Sequence, residues 1–113
     1  MALDKNGLKQ KASIFKVREI HPPDLGDSVY VRELNTRELE RVRKLCSVDS
    51  ADDDNTRAKI LVMLIGDANG KRLFTDSEVD VIQGMNWKIT DYILAQGLEF
   101  NAEQESVEQA EKN

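Results

Sequence analysis

The side chains best suited to chemistry are oxygen donors in the stretch Gly66 to Ile82, "GDANGKRLFTDSEVDVI". Asp67, Asn69 and Gly70 precede Thr75, Asp76 and Glu78 there, an order that suggests a loop wrapped around a hard cation. A helix–loop–helix calcium site takes oxygen ligands from its first, third and fifth positions, glycine at the sixth and a bidentate glutamate at the twelfth. With Gly70 as the sixth, Asp67 and Asn69 fall at the third and fifth. The first position is then Ile65, which offers no ligand, and the twelfth is Asp76, too short for the bidentate reach. The expectation is therefore a turn and not a metal site: Asn69-Gly70 tolerates positive φ, and Thr75 with Glu78 makes a capping box for a following helix.

A second acidic group, Asp49, Asp52, Asp53 and Asp54, lies in "SVDSADDDN". Clustered carboxylates attract cations, but they also suit the start of a helix, where unpaired N–H groups and the dipole favour negative charge. A helix follows here, so the reading is a solvated loop and helix start. His21 is followed by two prolines and has no catalytic companion, and Cys46 is the lone cysteine. No nucleophile with a nearby base, no glycine-rich phosphate loop and no metal-ligand spacing is visible, so no enzyme, cofactor or metal is expected.

Composition bounds the rest. A chain of 113 residues builds one small domain. A net charge of -5 argues against nonspecific nucleic-acid binding, which needs a concentrated basic face. No apolar run reaches the length of a membrane span, and the N-terminus "MALDKNGLKQKASIF" lacks the apolar core of a signal peptide. The default is a cytoplasmic protein. Residues 1–13 are expected to be mobile, 14–100 to form the domain, and 101–113 to be an acidic disordered or frayed helical tail with four glutamates against one lysine.

Periodicity then supplies the elements. "IFKVREI" sets Phe15 and Val17 against Lys16 and Arg18, and "SVYVREL" sets Val29 and Val31 against Tyr30 and Arg32. Both are half-buried strand patterns, joined by the proline- and glycine-bearing loop "HPPDLGD". Asn35 and Glu38 form a capping box that opens a first helix through about Cys46, with Leu39, Val42, Leu45 and Cys46 inward. A second helix spans about Asp54 to Ile65, although its run Ile60 to Ile65 also fits a buried strand. A third covers about Asp76 to Gly84 with Val79, Ile82 and Met85 inward, and a last runs from Trp87 to about Glu99. The fold class is mainly α (α+β): a two-stranded β-hairpin followed by a bundle of about four short helices.

The second helix is apolar nearly all round, which means a central core position or a second face reserved for a partner. The last helix carries Trp87, Tyr92 and Phe100, half of the six aromatic residues. The candidate partner-binding residues are Ile60, Met63, Leu64, Trp87, Tyr92, Leu94 and Leu98.

Two segments, "VYVRELNTRELERVRKL" and "AKILVMLIGDANGKRLFTDSEVDVIQGMNWKITDYILAQGLEFN", resemble the tail assembly chaperones of long-tailed bacteriophages. The resemblance covers roughly Val29 to Ala102 and rests on an order of short elements, including a "D-x-x-G-x-R-L-F-x-D-x-x-V" hinge. It implies a chaperone that keeps a long helical tape measure protein soluble during tail assembly and is absent from the mature virion. It supplies no catalytic residues. It also implies a frameshifted longer form, and the terminal "EKN" is compatible with a slippery adenine run in the gene. Self-association into a homo-oligomer fits a domain this small. The competing readings are a small helix-turn-helix regulator built around "QGMN", against which Lys88 stands as the only basic residue of the last helix core beside Asp91 and Glu99, and a generic protein-interaction adaptor.

Overall fold

The computed structural model describes residues 2–47 and 55–112, with 104–112 as backbone only. The acidic group at Asp49, Asp52, Asp53 and Asp54 lies outside the described residues. The expected α+β architecture is present. A short helix α1 (Lys5–Lys11) precedes the hairpin β1 (Val17–Ile20) and β2 (Val29–Arg32). Helices α2 (Thr36–Leu45) and α3 (Thr56–Leu64) follow, then a two-residue strand β3 (Ile65–Gly66), a tight helical turn (Asp76–Glu78), α4 (Val79–Gln83) and the long α5 (Trp87–Lys112).

The sheet has three antiparallel strands in the order β1-β2-β3, one more than the hairpin expected from sequence. The ambiguous run Ile60 to Ile65 turns out to be both things in succession. It is helical to Leu64, and Ile65 then pairs with Val31 as Gly66 pairs with Tyr30. Strand β2 is thereby central, and at its C-terminal end, Val31 and Arg32, both faces are buried. This changes where its polar residues go. Val31 is fully buried as the alternation requires, but Arg32, expected outside, is only 4% exposed. On β1, Arg18 and Ile20 share a face, and the Arg18 guanidinium lies 4.9 Å over the Phe100 ring and pairs with Glu103. Arg18 therefore packs inward as well, its apolar stem covering an aromatic while its charge finds a carboxylate.

The local signals for helix ends are realised. Asn35 Oδ1 accepts the Glu38 N–H at 2.8 Å, and Glu38 Oε1 accepts the Asn35 N–H at 3.0 Å. The Thr75 N–H donates to Glu78 Oε1 at 2.8 Å. Helix α2 ends at Leu45, so Cys46 is its C-cap and is exposed, not part of the inner stripe. Helix α5 continues beyond Glu99 through Lys112. Its residue Asn101 stitches it to the sheet: Oδ1 accepts the Leu34 N–H at 3.0 Å while Nδ2 donates to the Arg32 carbonyl at 3.1 Å.

The core forms around α3, whose Ala58 and Ile60 to Leu64 are all buried. Helices α2, α4 and α5 pack around it, and Ile20, Val31, Val42, Ile82, Ile93 and Phe100 complete the interior. Helix α5 crosses α3 at Gly97. A Cβ there would lie 2.9 Å from Leu64 Cδ1, so the small residue sets how closely the two helices approach.

Candidate partner-binding groove

The Gly66–Ile82 stretch shows what its oxygen donors do. Asp67 Oδ1 accepts the N–H groups of Asn69 (2.8 Å) and Lys71 (3.0 Å), closing a turn on its own carboxylate. Gly70 takes φ +84°, a left-handed conformation that glycine adopts at no steric cost. The Lys71 N–H bond, followed by the Asn69 N–H, holds the Asp67 carboxyl below its ordinary value. Among the described residues no group of three or more His, Cys, Asp or Glu side chains gathers where a metal could sit. His21 is exposed beside Glu19 at 3.8 Å.

The same stretch anchors a buried ionic network that sequence reasoning missed. Arg32 Nε donates to the Gly70 carbonyl at 2.8 Å, and its Nη1 donates to the Met63 carbonyl at 2.8 Å and to Glu38 at 2.9 Å. Arg72 Nε donates to the Val62 carbonyl at 3.0 Å, and its Nη2 donates to Asp76 at 2.8 Å. A helix leaves its last four carbonyls without intrahelical partners. Here α3 hands directly to β3, and the two guanidinium groups take up the carbonyls of Val62 and Met63 at the negative end of its dipole. The network is structural: it locks α2, β2, α3 and the following turn into one frame.

The predicted partner-binding residues divide into three groups. Ile60, Met63 and Leu64 lie in the core, Met63 at 1% exposure and Leu64 at 0%. In this fold they offer no surface to a partner, because an all-round apolar helix is covered here by its own neighbours. Tyr92, Leu94 and Leu98 are partly buried, packed along α5 against the core. Trp87, the single tryptophan, is 67% exposed.

Trp87 borders an open groove between α3, α4 and the start of α5. Arg57, Ala58 and Leu61 come from α3, Ile82 and Gln83 from α4, and Met85, Trp87 and Thr90 from the following turn and α5. Its volume is about 160 Å³, close to that of an apolar cavity that takes one benzene molecule (about 150 Å³). It has room for one large apolar side chain. Met85 was expected inward but sits on the rim at 37% exposure. The cause is local: α4 stops at Gln83 with Gly84 as its C-cap, so the helical stripe does not extend to Met85. Val81, on the outer side of α4, adds further exposed apolar surface. Arg57 and Asp91 pair across the groove's end at 2.6 Å, and Lys88 Nζ lies 6.0 Å from the Trp87 ring centre.

No protein-family model matches the chain, and no curated protein matches it. Among solved structures, the chain is similar to one described as the bacteriophage HK97 tail assembly chaperone, with a TM-score of 0.60 over 81% of this chain and 94% of that one. The chain shares that chaperone's fold. Sequence identity is 20%, so the likeness lies in the path of the backbone far more than in side chains. No helix among the described residues is long and apolar enough to cross a membrane.

Proposed function

We propose that this chain is a phage tail assembly chaperone that binds the helical tape measure protein in the host cytoplasm and leaves before the virion is complete. The observation that carries the reading is a fold shared with the HK97 tail assembly chaperone over four-fifths of the chain. The Trp87 groove is the physical means. A long helical client presents apolar side chains at helical spacing, and an amphipathic helix binds by setting such anchors into apolar grooves. Trp87 and Met85 are large, exposed and adjacent to an unfilled groove, the arrangement in which a few residues carry most of the binding energy.

One anchor side chain buried in the groove contributes about 1.5–3 kcal/mol. A single copy therefore binds weakly, and a client is kept soluble by several copies along its length. Tyr92, Leu94 and Leu98 extend the contact along α5 with the surface they leave uncovered. The net charge of -5 keeps the coated client from aggregating.

The test is co-expression with a long helical tape measure protein, the proposed client. The client is expected in the soluble fraction and to co-purify with this chain, and Trp87→Ala is expected to reduce the recovered client several-fold. A client that is equally soluble without this chain and never co-purifies with it would overturn the reading.

A further inference from the structure

Of the six glycines, Gly84 is the one whose place does not call for a glycine. Gly26 and Gly70 take positive φ, and a Cβ at Gly7, Gly66 or Gly97 would lie 3.1 Å or less from another atom. Gly84 takes φ -82°, open to any residue, and a Cβ there would come no closer than 3.6 Å to its neighbours, an ordinary contact. Glycine loses more conformational freedom on folding than any other residue. At Gly84 that loss brings nothing to the conformation seen, and the freedom serves a chain that must turn differently at this point.

The piece that Gly84 joins to α5 is lightly held. Between the extended Thr75 and Gly84 lie the helical turn Asp76–Glu78 and α4, and Ile82 is their one buried residue, where α3 has six. Val79 is half-buried against the core. Gln83 Nε2 donates to Asn55 Oδ1 in an exposed setting, where water can take over the bond. A unit with so few buried apolar contacts is of the kind that opens locally while the rest of the fold stands.

The piece also covers what a helical client needs. The groove admits one side chain, whereas an amphipathic helix docks through several anchors at i, i+3 or i+4 and i+7. Ala58 and Leu61, one turn apart on α3, line the groove and are 5% and 2% exposed. Ile82 of α4 lines it with them, so moving α4 outward lengthens the groove along α3 into a slot.

We propose that residues 76–83 are a gate, swinging as a unit between Thr75 and Gly84 to admit a client helix and closing to the one-side-chain groove when it leaves. The role given to the gate rests on the groove being the client's docking site, as proposed above. The single anchor in the closed groove is then the first contact, and the full helix seats only after the gate moves.

The test uses full-length protein carrying Cys46→Ser, so that introduced thiols are the only ones. Without client, the thiol-labelling rates of Leu61→Cys, beneath the gate, and Leu64→Cys, beneath α5, are compared. Leu61→Cys is expected to react about 100-fold faster, since it needs only local opening. Adding Gly84→Ala, which fits the closed form, is expected to slow that labelling about two- to fivefold. Equal rates at the two positions, or a rate at Leu61→Cys unmoved by Gly84→Ala, would overturn the gate. So would a melting temperature lowered by Gly84→Ala, which would show that the closed form needs its glycine. With client, Asn55→Cys and Gln83→Cys joined by a short bis-thiol reagent are expected to capture about tenfold less tape measure protein than the same variant unjoined. Undiminished capture would overturn the gate as well. If neither form nor wild type captures client, the chaperone reading falls, and the labelling rates still decide whether residues 76–83 open.

Discussion

Arg32 Nη1 lies 2.9 and 3.0 Å from the two carboxylate oxygens of Glu38, with both side chains shut away from solvent. Glu38 reached this place by capping α2, and Arg32 by capping α3. The pair therefore joins two helix ends through one ionic contact, and Arg72 approaches the same carboxylate at 3.6 Å. Replacing Glu38 with alanine is expected to cost about 3–5 kcal/mol, because it leaves the Arg32 charge buried without its partner. Urea denaturation measures it. A loss below 1 kcal/mol would mean that water or a rearranged Arg72 replaces the carboxylate.

Gly97 faces Leu64 across the α3–α5 crossing. On helix propensity alone, Gly97→Ala would gain about 1 kcal/mol. The added Cβ, however, would sit 2.9 Å from the Leu64 side chain, which is fully buried and has no room to retreat. Overpacking of this kind costs about 1–3 kcal/mol, so a lowered melting temperature is expected. Adding Leu64→Ala should make Gly97→Ala less harmful than it is in the wild-type background, which a double-mutant cycle reads directly.

Asp76 is held below its ordinary value of 3.8, first by the Arg72 hydrogen bond and then, against a desolvation that raises it, by the Arg72 charge. A carboxylate depressed in the folded state adds stability that is present above pH 3.8 and lost as pH falls through the folded value. Asp76→Asn should therefore narrow the stability difference between neutral and acidic solution in that window. The Asp76 side chain is 60% exposed, so added salt should weaken the effect. An unchanged acid-unfolding profile in the variant would refute the assignment.

Trp87→Ala should leave folding almost untouched, within about 0.5 kcal/mol, since the side chain is two-thirds exposed and the Asn86 cap of α5 does not depend on it. Its cost should appear in association with client, where a central aromatic anchor is worth about 2 kcal/mol or more. Thermal unfolding and a pull-down on the same preparation separate the two. Equal client recovery by the variant would remove Trp87 from the contact.

The elements were legible in the sequence wherever a signal was local. Asn35 with Glu38 and Thr75 with Glu78 marked helix starts, Asn69-Gly70 marked the turn, and Val31 marked the buried face of its strand. Each works through residues within a few positions of one another, so short-range hydrogen bonding and backbone preference suffice to specify them. Helix α1 was not legible, because a short polar stretch with one leucine carries no periodicity.

The tertiary structure decided which polar residues would be enclosed and which apolar ones left out. Alternation set Arg32 outside, but a third strand and the unsatisfied carbonyls of α3, more than 30 residues further along the chain, drew it in. The apolar run Ile60–Ile65 announced a helix wanting cover on every side, and only packing showed that α2, α4, α5 and the sheet supply that cover from within the chain. Exposure of Trp87 and Met85 was likewise settled by the end of α4 at Gln83, which points the chain away from the core. Burial is a property of what arrives from elsewhere in the chain, and no window of neighbouring residues contains it.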